Sequence, residues 1–383
     1  MKPKHFDVLI AGAGPAGTAC ALALKSSGLK IAIVDKAKFP RDKVCGDAIP
    51  TNALRVLKNI DSNLAEDFKT NFNEKNTIRG SRLISPSRNF FDLEFVNSGH
   101  AATRLHFDNF LFQLVKKNVP SVYLFENCEI KNVSTNDICV TAETTTGTFT
   151  ADVIVGCDGA HATTAKQLSG FKVDKRFYIG AVRSYYKNIS DADDELLELH
   201  FLKDYMPGYF WIFPLGNNLY NVGFGMASDQ VGIRKVNLRE SFHKIIAQDK
   251  ILNSRFKNAI KTDDTIGFGL PCGGRKLKIS GKRFMLCGDA ASLINPATGE
   301  GIGNAMISGR LAAFQIIKCV ANKNFTASFI KNYEVELYGK LYKDLRIQHM
   351  LQKVAGNRPW LVNFALNQVS KHEFIRERVR KFF

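Results

Sequence analysis

The stretch Phe6-Asp7-Val8-Leu9-Ile10-Ala11-Gly12-Ala13-Gly14-Pro15-Ala16-Gly17 decides the fold. Its first six residues are typical of a buried strand, and three glycines with the spacing GxGxxG follow at once. A helix of small residues is predicted from about Thr18 to Ser27. A strand, a glycine loop and a helix in this order favour a doubly wound α/β fold that binds a dinucleotide.

Each glycine of this loop has a predicted role at a pyrophosphate. Gly12 allows the tight turn, Gly14 lets the backbone approach the phosphates, and Gly17 lets the helix pack on the strand. The N-terminus of the helix adds free N–H groups and partial positive charge. The second strand ends at Asp35, where a carboxylate can accept hydrogen bonds from ribose hydroxyls. The cofactor-binding residues predicted here are Gly12, Ala13, Gly14, Pro15, Ala16, Gly17, Asp35 and Lys36.

Two later segments also place a strand before a polar turn. Residues 283–287 form a predicted strand that ends in Gly288-Asp289, and residues 295–303, with the sequence NPATGEGIG, lead into a helix that reaches about Val320. Residues 152–156 form another predicted strand, which ends near Asp158-Gly159. The first of these segments repeats the strand-to-helix device of the N-terminus, nearly three hundred residues later.

These elements together resemble the flavoprotein family that includes the para-hydroxybenzoate-hydroxylase-type monooxygenases, the flavin halogenases and the geranylgeranyl reductases. The resemblance implies that the cofactor is FAD and that Asp289 hydrogen-bonds its ribityl chain. It also implies that the amides of Gly301 and Ile302 face the flavin N1 and C2 oxygen, where the helix dipole favours the negative charge of reduced flavin. The further cofactor-binding residues that it implies are Arg41, Cys45, Gly46, Ala48, Arg104, Ile130, Asp158, Gly159, Gly288, Pro296 and Gly299.

The chain departs from the family pattern after Asp158-Gly159. The family often has Ser and Arg there, whereas this sequence has Ala162 and Ala165, so polar roles at those positions are not carried over.

Two segments separate the branches of the family. Cys45-Gly46 resembles the motif that geranylgeranyl and polyprenyl-quinone reductases place beside the isoalloxazine, where halogenases have Gly-Glu-Ser. The run 209–214, YFWIFP, resembles the reductase signature that lines a lipid cavity. The substrate-pocket residues implied are Tyr209, Trp211, Phe213 and Pro214, and the catalytic candidates are Cys45 and Tyr209.

Each of these motifs also has a purely structural interpretation. Cys45 could be a small residue in a tight turn. Residues 209–213 alternate with period two, which is typical of the inward face of any strand.

The reductase interpretation predicts hydride transfer from reduced flavin to one carbon of an alkene in a hydrophobic isoprenoid or polyene substrate. The proton for the other carbon would come from Tyr209, Cys45 or water. NAD(P)H or ferredoxin would supply electrons transiently, because no second GxGxxG unit follows a strand.

Two alternative functions stay open. One is an FAD-dependent monooxygenase or halogenase acting on an aromatic compound, for which Lys58, Lys69 and Lys75 lie in the region of the catalytic lysine. The other is a non-catalytic basic protein that binds a membrane or nucleic acid.

The composition narrows the second alternative. The chain has 53 Lys and Arg against 36 Asp and Glu, a net charge of +17, but these residues are scattered and form no recognisable nucleic-acid module. Nucleic acid is therefore not expected as a partner. The eight cysteines contain no CxxC pair, so no metal site is expected. No export signal or membrane-spanning window is recognised, which predicts a cytoplasmic protein, with peripheral contact to the inner face of the membrane as an open extension.

The predicted architecture is α/β, with a Rossmann-like FAD-binding domain built on a parallel sheet, an antiparallel-sheet substrate domain and C-terminal helices. The FAD-binding domain is discontinuous and comprises residues 1–75, 100–170 and 265–325. Residues 76–99 and 171–264 form the substrate domain, with strands expected at 178–186, 196–202, 209–215 and 220–226. Residues 326–383 are predicted to be helical. Residues 371–383 mix aromatic and basic side chains, as in an interfacial helix on anionic lipid, although such a helix could also simply pack on the protein.

Overall fold

A computed structural model describes residues 4–356 and 358–380 of the chain. Within these ranges the protein has two sheets, which we call sheet A and sheet B, and both are flanked by helices. The strands of sheet A are β1 (Lys4–Ala11), β2 (Ile31–Val34), β6 (Val122–Phe125), β7 (Ile130–Thr135), β8 (Val140–Thr144), β9 (Gly147–Gly156), β16 (Ser280–Gly281) and β17 (Phe284–Leu286). The strands of sheet B are β3 (Ala48–Ile49), β4 (Asn76–Ile84), β5 (Phe90–Ala101), β10 (Tyr178–Lys187), β11 (Leu196–His200), β12 (Gly208–Pro214), β13 (Leu219–Ala227), β14 (Ile260–Lys261) and β15 (Ile266–Pro271).

The helices cover both faces of sheet A and extend beyond sheet B. They are α1 (Pro15–Ala23), α2 (Thr51–Ile60), α3 (Ser62–Asn71), α4 (Arg104–Asn118), α5 (Thr163–Ser169), α6 (Ser228–Ile233), α7 (Leu238–Gln248), α8 (Lys250–Phe256), α9 (Ile302–Ala321), α10 (Ala327–Gly356), α11 (Pro359–Lys371) and α12 (Glu373–Arg380).

The centre of sheet A is parallel, in the order β17-β9-β1-β2-β6. The inner strands carry almost unbroken runs of buried aliphatic residues, such as Val8 to Ala11 in β1, because helices cover both faces. Helices α1 and α9 approach closely: a Cβ on Gly309 would lie only 2.0 Å from the Ala16 carbonyl oxygen. The sheet edge at which the parallel strands end therefore carries the N-termini of both helices.

Sheet B is mostly antiparallel, except that β11 runs parallel to β4. Strands β10, β11, β12 and β13 coincide with the four strands predicted between residues 178 and 226, with ends shifted by at most two residues. The predicted fold class, a parallel-sheet α/β domain with an antiparallel sheet and C-terminal helices, is confirmed.

One predicted boundary does not match the strand pairing. Residues 265–325 were expected in the FAD-binding domain, but β15 pairs with β10 in sheet B over Tyr178 to Arg183. The chain therefore returns to sheet A only at β16 and β17. Alternating glycines in β15 hide the strand pattern in the sequence, which explains the difference.

The described residues also bear on membrane spans, disulfides and metal sites. No helix in the described ranges combines the length and the apolar composition needed to cross a bilayer. All eight cysteines lie in the described chain as free thiols, and no cluster of three or more His, Cys, Asp or Glu side chains there could hold a metal ion. Part of the predicted interfacial helix, the side chains of residues 378–380 and all of residues 381–383, lies outside the described residues.

Candidate active site

A cavity of about 1380 Å³ lies between the two sheets and the C-terminal helices. This volume exceeds that of an ordinary small-molecule pocket, so a large cofactor and a substrate fit side by side. The sequence-predicted residues in its wall are Gly12, Gly14, Pro15, Ala16, Asp35, Lys36, Arg41, Cys45, Gly46, Ala48, Arg104, Ile130, Asp158, Gly159, Tyr209, Trp211, Phe213, Gly288, Asp289, Pro296, Gly299, Gly301 and Ile302. Ala13, Gly17 and Pro214 do not reach the wall.

The glycine loop forms one end of the cavity. Gly12 has φ +101°, and a Cβ there would lie 2.4 Å from the Cys157 carbonyl oxygen. Gly14 is the N-cap of α1, and no side chain of the described residues caps this helix. The backbone N–H groups at this helix start are therefore available to an anion in the cavity, which fits a pyrophosphate.

Asp35 supports the same loop from the end of β2. Its carboxylate accepts hydrogen bonds from the backbone N–H of Ala13 at 2.8 Å and from that of Ala37 at 2.9 Å. The Ala13 amide is thus already used within the protein, whereas the Asp35 carboxylate also borders the cavity, as a ribose-binding acid would.

The N-terminus of α9 forms a second anion-favouring end of the cavity. Gly301 is its N-cap, and in the first turn the backbone N–H of Gly303 donates to the Glu300 carboxylate. Asp289 lies beside it, paired with Lys43, whose Nζ is 2.9 Å from the Asp289 Oδ2. Two helix N-termini facing one cavity fit FAD, with its phosphates at the uncapped α1 and its flavin at α9.

A buried cluster of charged side chains lies between the α1 end and the α9 end of the cavity. Arg104, at the start of α4, makes two hydrogen bonds of 2.7 Å to the Asp108 carboxylate, and Arg41 Nη1 lies 2.6 Å from the same group. Burial alone would raise the pKa of Asp108, but the two arginines hold it below its ordinary value. The Arg104 side chain also hydrogen-bonds that of Cys45. The cluster therefore fixes the segment that carries the Cys-Gly motif.

The resemblance implied that Asp158 binds the cofactor, but its carboxylate hydrogen-bonds a residue of the protein. Both of its carboxylate oxygens bind Thr164, one at the backbone N–H and one at the hydroxyl, at 2.9 and 2.5 Å. The acid thus caps α5, and burial raises its pKa above the ordinary value.

Strands β12 and β13 form the apolar wall of the cavity. Tyr209 and Trp211 pair with Gly225 and Gly223, so that small residues leave room for the rings. A Cβ on Gly223 would lie 2.0 Å from Trp211 Cζ2, which means that the indole lies flat on the backbone of β13. The Tyr209 hydroxyl donates to the Thr298 carbonyl oxygen and so ties this wall to the loop before α9.

We expect Gly223→Ala to displace the Trp211 ring into the cavity, because the new methyl group would occupy the ring's position. The fluorescence of Trp211, one of two tryptophans, should change, and the apparent KM for an apolar substrate should rise by about tenfold, the cost of about 1.4 kcal/mol of lost packing. Gly267→Ala in β15 is the matched control, since its nearest neighbour would be 3.7 Å away. Equal behaviour of the two variants would show that Trp211 does not shape the substrate site.

Several residues of the site were not singled out from the sequence. They are Lys43, Asp47 and Glu300 near the predicted flavin position, and side chains of α10 and α11 such as Leu351, Leu361 and Phe364. Lys43 and Asp47 flank the Cys-Gly motif, so their proximity to it was an available signal. The residues of α10 and α11 carried no such signal in the sequence, because the apolar face of a helix has the same residue pattern whether it covers a core or a cavity.

Comparison with known proteins agrees with this geometry. Residues 5–253 match the family model described as "FAD binding domain". A digeranylgeranylglycerophospholipid reductase of Methanococcus vannielii is 28% identical over 372 residues, which cover 92% of this chain and 88% of that protein. A menaquinone reductase of Mycobacterium tuberculosis is 30% identical over 325 residues, covering 80% of this chain and 75% of that protein.

Solved structures share the fold. A geranylgeranyl bacteriochlorophyll reductase-like protein of Thermoplasma acidophilum superposes with a TM-score of 0.83 at 21% identity, covering 96% of this chain and 92% of that one. A flavin-dependent brominase superposes with a TM-score of 0.80 at 22% identity, covering 99% and 93%. With the cofactor geometry described above, these findings identify the family: the chain belongs to the FAD binding domain family and is an FAD-dependent oxidoreductase of the geranylgeranyl reductase type.

Proposed function

We propose that the protein reduces carbon–carbon double bonds of a long isoprenoid chain. The observation that carries this proposal is the apolar wall of the cavity, which continues from Tyr209 and Trp211 to Leu351, Leu361 and Phe364 on the C-terminal helices. A largely apolar wall of this extent suits a hydrophobic chain. The relatives named for a digeranylgeranyl phospholipid and for menaquinone, both prenylated lipids, support the same substrate class.

The protein's own residues would bind the cofactor, orient the substrate and exclude water from the cavity. Bound FAD, once reduced, supplies the hydride. The N-terminus of α1 would hold its phosphates and that of α9 its flavin, and Asp289 would bind the ribityl chain beside Lys43. Tyr209, Trp211 and Phe213 would align the double bond within a dry cavity. In this proposal Cys45, held by Arg104, is a catalytic candidate beside the flavin.

The halogenase alternative receives less support. None of Lys58, Lys69 and Lys75 is among the described residues that line the cavity. Lys75 donates instead to the carbonyl oxygens of Lys69 and Phe72. The three lysines therefore give the halogenase alternative no catalytic group at the cavity wall.

Product analysis tests the proposed reaction. The protein reduced chemically under anaerobic conditions should add two hydrogens per double bond to a polyprenyl lipid, seen as a mass increase of the product. Halogenated or hydroxylated products of an aromatic compound, formed only in air, would overturn the proposal.

We infer that electrons come from an external donor, either NAD(P)H or a ferredoxin. Sheet A, as far as it is described, carries one glycine-rich nucleotide cradle, which FAD would fill. Anaerobic mixing with each donor in turn distinguishes the two. With a ferredoxin, flavin reduction should slow steeply as salt rises, because the chain carries a net charge of +17 and ferredoxin-like carriers are typically acidic.

A lipid substrate also motivates peripheral contact with the membrane. Exposed apolar side chains follow one face of the last turns of α10, at positions 347, 350, 351 and 354, and continue to Trp360 and Phe364 on α11. Lys343, Arg346, Lys353 and Arg358 lie on the same helices and are exposed. Because Leu351 and Phe364 also border the cavity, this face would open the substrate site toward anionic lipid.

A double variant, Trp360→Ser with Phe364→Ser, should bind anionic vesicles at least about tenfold more weakly, since each buried aromatic ring contributes roughly 1.5–3 kcal/mol. Co-sedimentation with vesicles of anionic phospholipid measures this. Ile138→Ser, at an exposed apolar residue of the β7–β8 turn, is the control and should bind as the wild type does. Unchanged sedimentation of the double variant would show that this face of α10 and α11 does not bind the membrane.

A further inference from the structure

A carboxylate is buried in the wall of the cavity with one oxygen left unpaired. Asp47, directly after the Cys45-Gly46 pair, is 0% exposed and borders the cavity. Its Oδ2 accepts hydrogen bonds from the Tyr185 hydroxyl and from the Asn221 side-chain amide, both at 2.7 Å. Its Oδ1 is shielded from water and has no hydrogen-bond partner among the described residues. A buried oxygen without a hydrogen-bond partner calls for an explanation, and a catalytic role is one of them.

The network around Asp47 is fixed by strand register. Tyr185 in β10 pairs with Asn221 in β13, and Asn221 pairs with Phe213 in β12, so these side chains share the cavity-facing side of sheet B. Asn221 also donates to the Cys45 carbonyl oxygen at 2.7 Å and accepts from Trp211 Nε1 at 2.8 Å. Asp47 is therefore held against both the Cys-Gly motif and the aromatic wall.

The charged groups that face Asp47 come from two elements. Tyr185 and Arg183 reach it from β10, and Arg104 reaches it from α4. Arg183 is itself paired with Asp42 and Asp263, which reduces its effect. Burial raises the pKa of Asp47 to about 6, against the opposing influence of Tyr185, Asn221 and the two arginines. At pH 7 about a tenth of this carboxyl group is thus protonated, and the fraction rises to about half near pH 6.

We propose that Asp47 is the internal proton donor of the reduction: when substrate binding uncovers its buried Oδ1, it protonates the carbon of the double bond that does not receive the hydride. This inference rests on the proposed function. The π electron pair of the alkene forms one of the two new C–H bonds with the Asp47 proton, and the hydride brings the electrons of the other. The flavin is oxidised by two electrons, the alkene is reduced by two, and the Asp47 carboxylate regains its proton from water.

Hydrogen bonding determines which oxygen carries the proton. Oδ2 already accepts from two donors, so the proton belongs on Oδ1, the oxygen with no other partner. Tyr209 is a poorer acid for this step, because its hydroxyl already donates to Thr298 and burial raises its pKa further above the ordinary value. A carboxyl group that titrates near the working pH is the better general acid.

Asp47→Asn and Tyr185→Phe test the proposal together. Asp47 has φ +67°, a conformation that Asn tolerates well, so Asp47→Asn should fold and bind FAD. In anaerobic single turnovers with a polyprenyl lipid, wild-type flavin reoxidation should slow as pH rises past about 6, since the carboxylate has no proton to give. Asp47→Asn should be about 100-fold slower or more and should lose this pH dependence. In Tyr185→Phe the decline should move to higher pH, because the hydrogen bond that lowers the pKa of Asp47 is gone.

Infrared spectra in the absence of substrate supply a second readout. A protonated carboxyl band that disappears as pH rises past about 6 should be present in the wild type, absent in Asp47→Asn, and persistent to higher pH in Tyr185→Phe. Burial also raises the pKa of Asp158 and of Glu300, whose bands should be common to all the variants. Asp137→Asn, at an exposed acid paired with Lys282, is the control and should match the wild type in both experiments.

The outcomes separate the two proposals. If the wild type turns over and Asp47→Asn does so at the same rate with the same pH profile, the assignment of Asp47 is overturned and the proposed function stands. If no polyprenyl lipid reoxidises the wild-type flavin, the proposed function fails, and the assignment fails with it. If Asp47→Asn loses no carboxyl band relative to the wild type, the group that titrates near pH 6 is another acid and the assignment is again overturned.

Discussion

A Gly17→Ala variant is expected to lose FAD binding and much of its stability. A Cβ at this position would lie 1.9 Å from the Gly12 carbonyl oxygen, and backbone cannot yield as a flexible side chain does. Helix α1 would have to move away from β1, which opens the glycine loop. We expect the free energy of unfolding to fall by about 3 kcal/mol. FAD affinity should fall by about 100-fold or more, equivalent to about 2.8 kcal/mol.

Gly14→Ala is the informative comparison. Its Cβ would meet only Arg41 Nη2, at 3.6 Å, which is an ordinary contact. The cofactor-free variant should therefore unfold at the wild-type denaturant concentration, while its FAD affinity falls because the methyl group occupies the approach of the phosphates. Urea unfolding and FAD titration separate the two effects. Wild-type FAD affinity in Gly14→Ala would contradict the placement of the pyrophosphate at this loop.

An Arg104→Ala variant should be the most destabilised of the charge variants. Asp108 is fully buried, and removal of Arg104 leaves it with Arg41 as its remaining close cation. Breaking a buried ion pair from one side costs about 3–5 kcal/mol, and the retained Arg41 places this case at the lower end, about 3 kcal/mol. FAD binding should weaken too, because Arg104 also holds the side chain of Cys45.

The destabilisation caused by Arg104→Ala should be larger at neutral pH than in acid. The pKa of Asp108 is lower in the folded protein than its ordinary value of 3.8, so the pair stabilises the protein above that pH. The contribution is lost as pH falls through the folded-state pKa, because protonation of Asp108 removes its charge. Urea unfolding should therefore show a large difference between wild type and Arg104→Ala at neutral pH and a small one in acid. Arg104→Lys, which keeps the charge but not the two-point hydrogen bonding, should fall between them. A difference that does not change with pH would exclude the ion pair as its cause.

The glycine-rich loops that border the cavity were largely predictable from the sequence, whereas the hydrogen-bond network around Asp47 was not. The loops at residues 12–17 and 288–302 are local devices, in which glycine spacing and a following helix specify the geometry within a few residues. The network around Asp47 depends instead on long-range register, since Tyr185 and Asn221 meet only because β10 and β13 pair in one alignment. Period-two alternation places Trp211 on a face, but the space above that face is set by Gly223 on another strand.

The C-terminal helices illustrate a further limit. The sequence predicted helices after residue 326, and α10, α11 and α12 confirm them. It did not predict that Leu351, Leu361 and Phe364 would border the cavity. Helical periodicity indicates which side chains share a face, while the partner of that face is decided by the packing of the whole chain.

Anaerobic single-turnover reoxidation is the most direct test of the central claim. The FAD-loaded protein is reduced without oxygen and mixed with dispersed polyprenyl lipids of several chain lengths, while flavin absorbance is followed. We expect a polyprenyl lipid to reoxidise the flavin and to gain two hydrogens per turnover. Its fully saturated counterpart should not react. Flavin that stays reduced with every polyprenyl lipid, and that reacts only with oxygen through a hydroperoxide, would contradict the central claim.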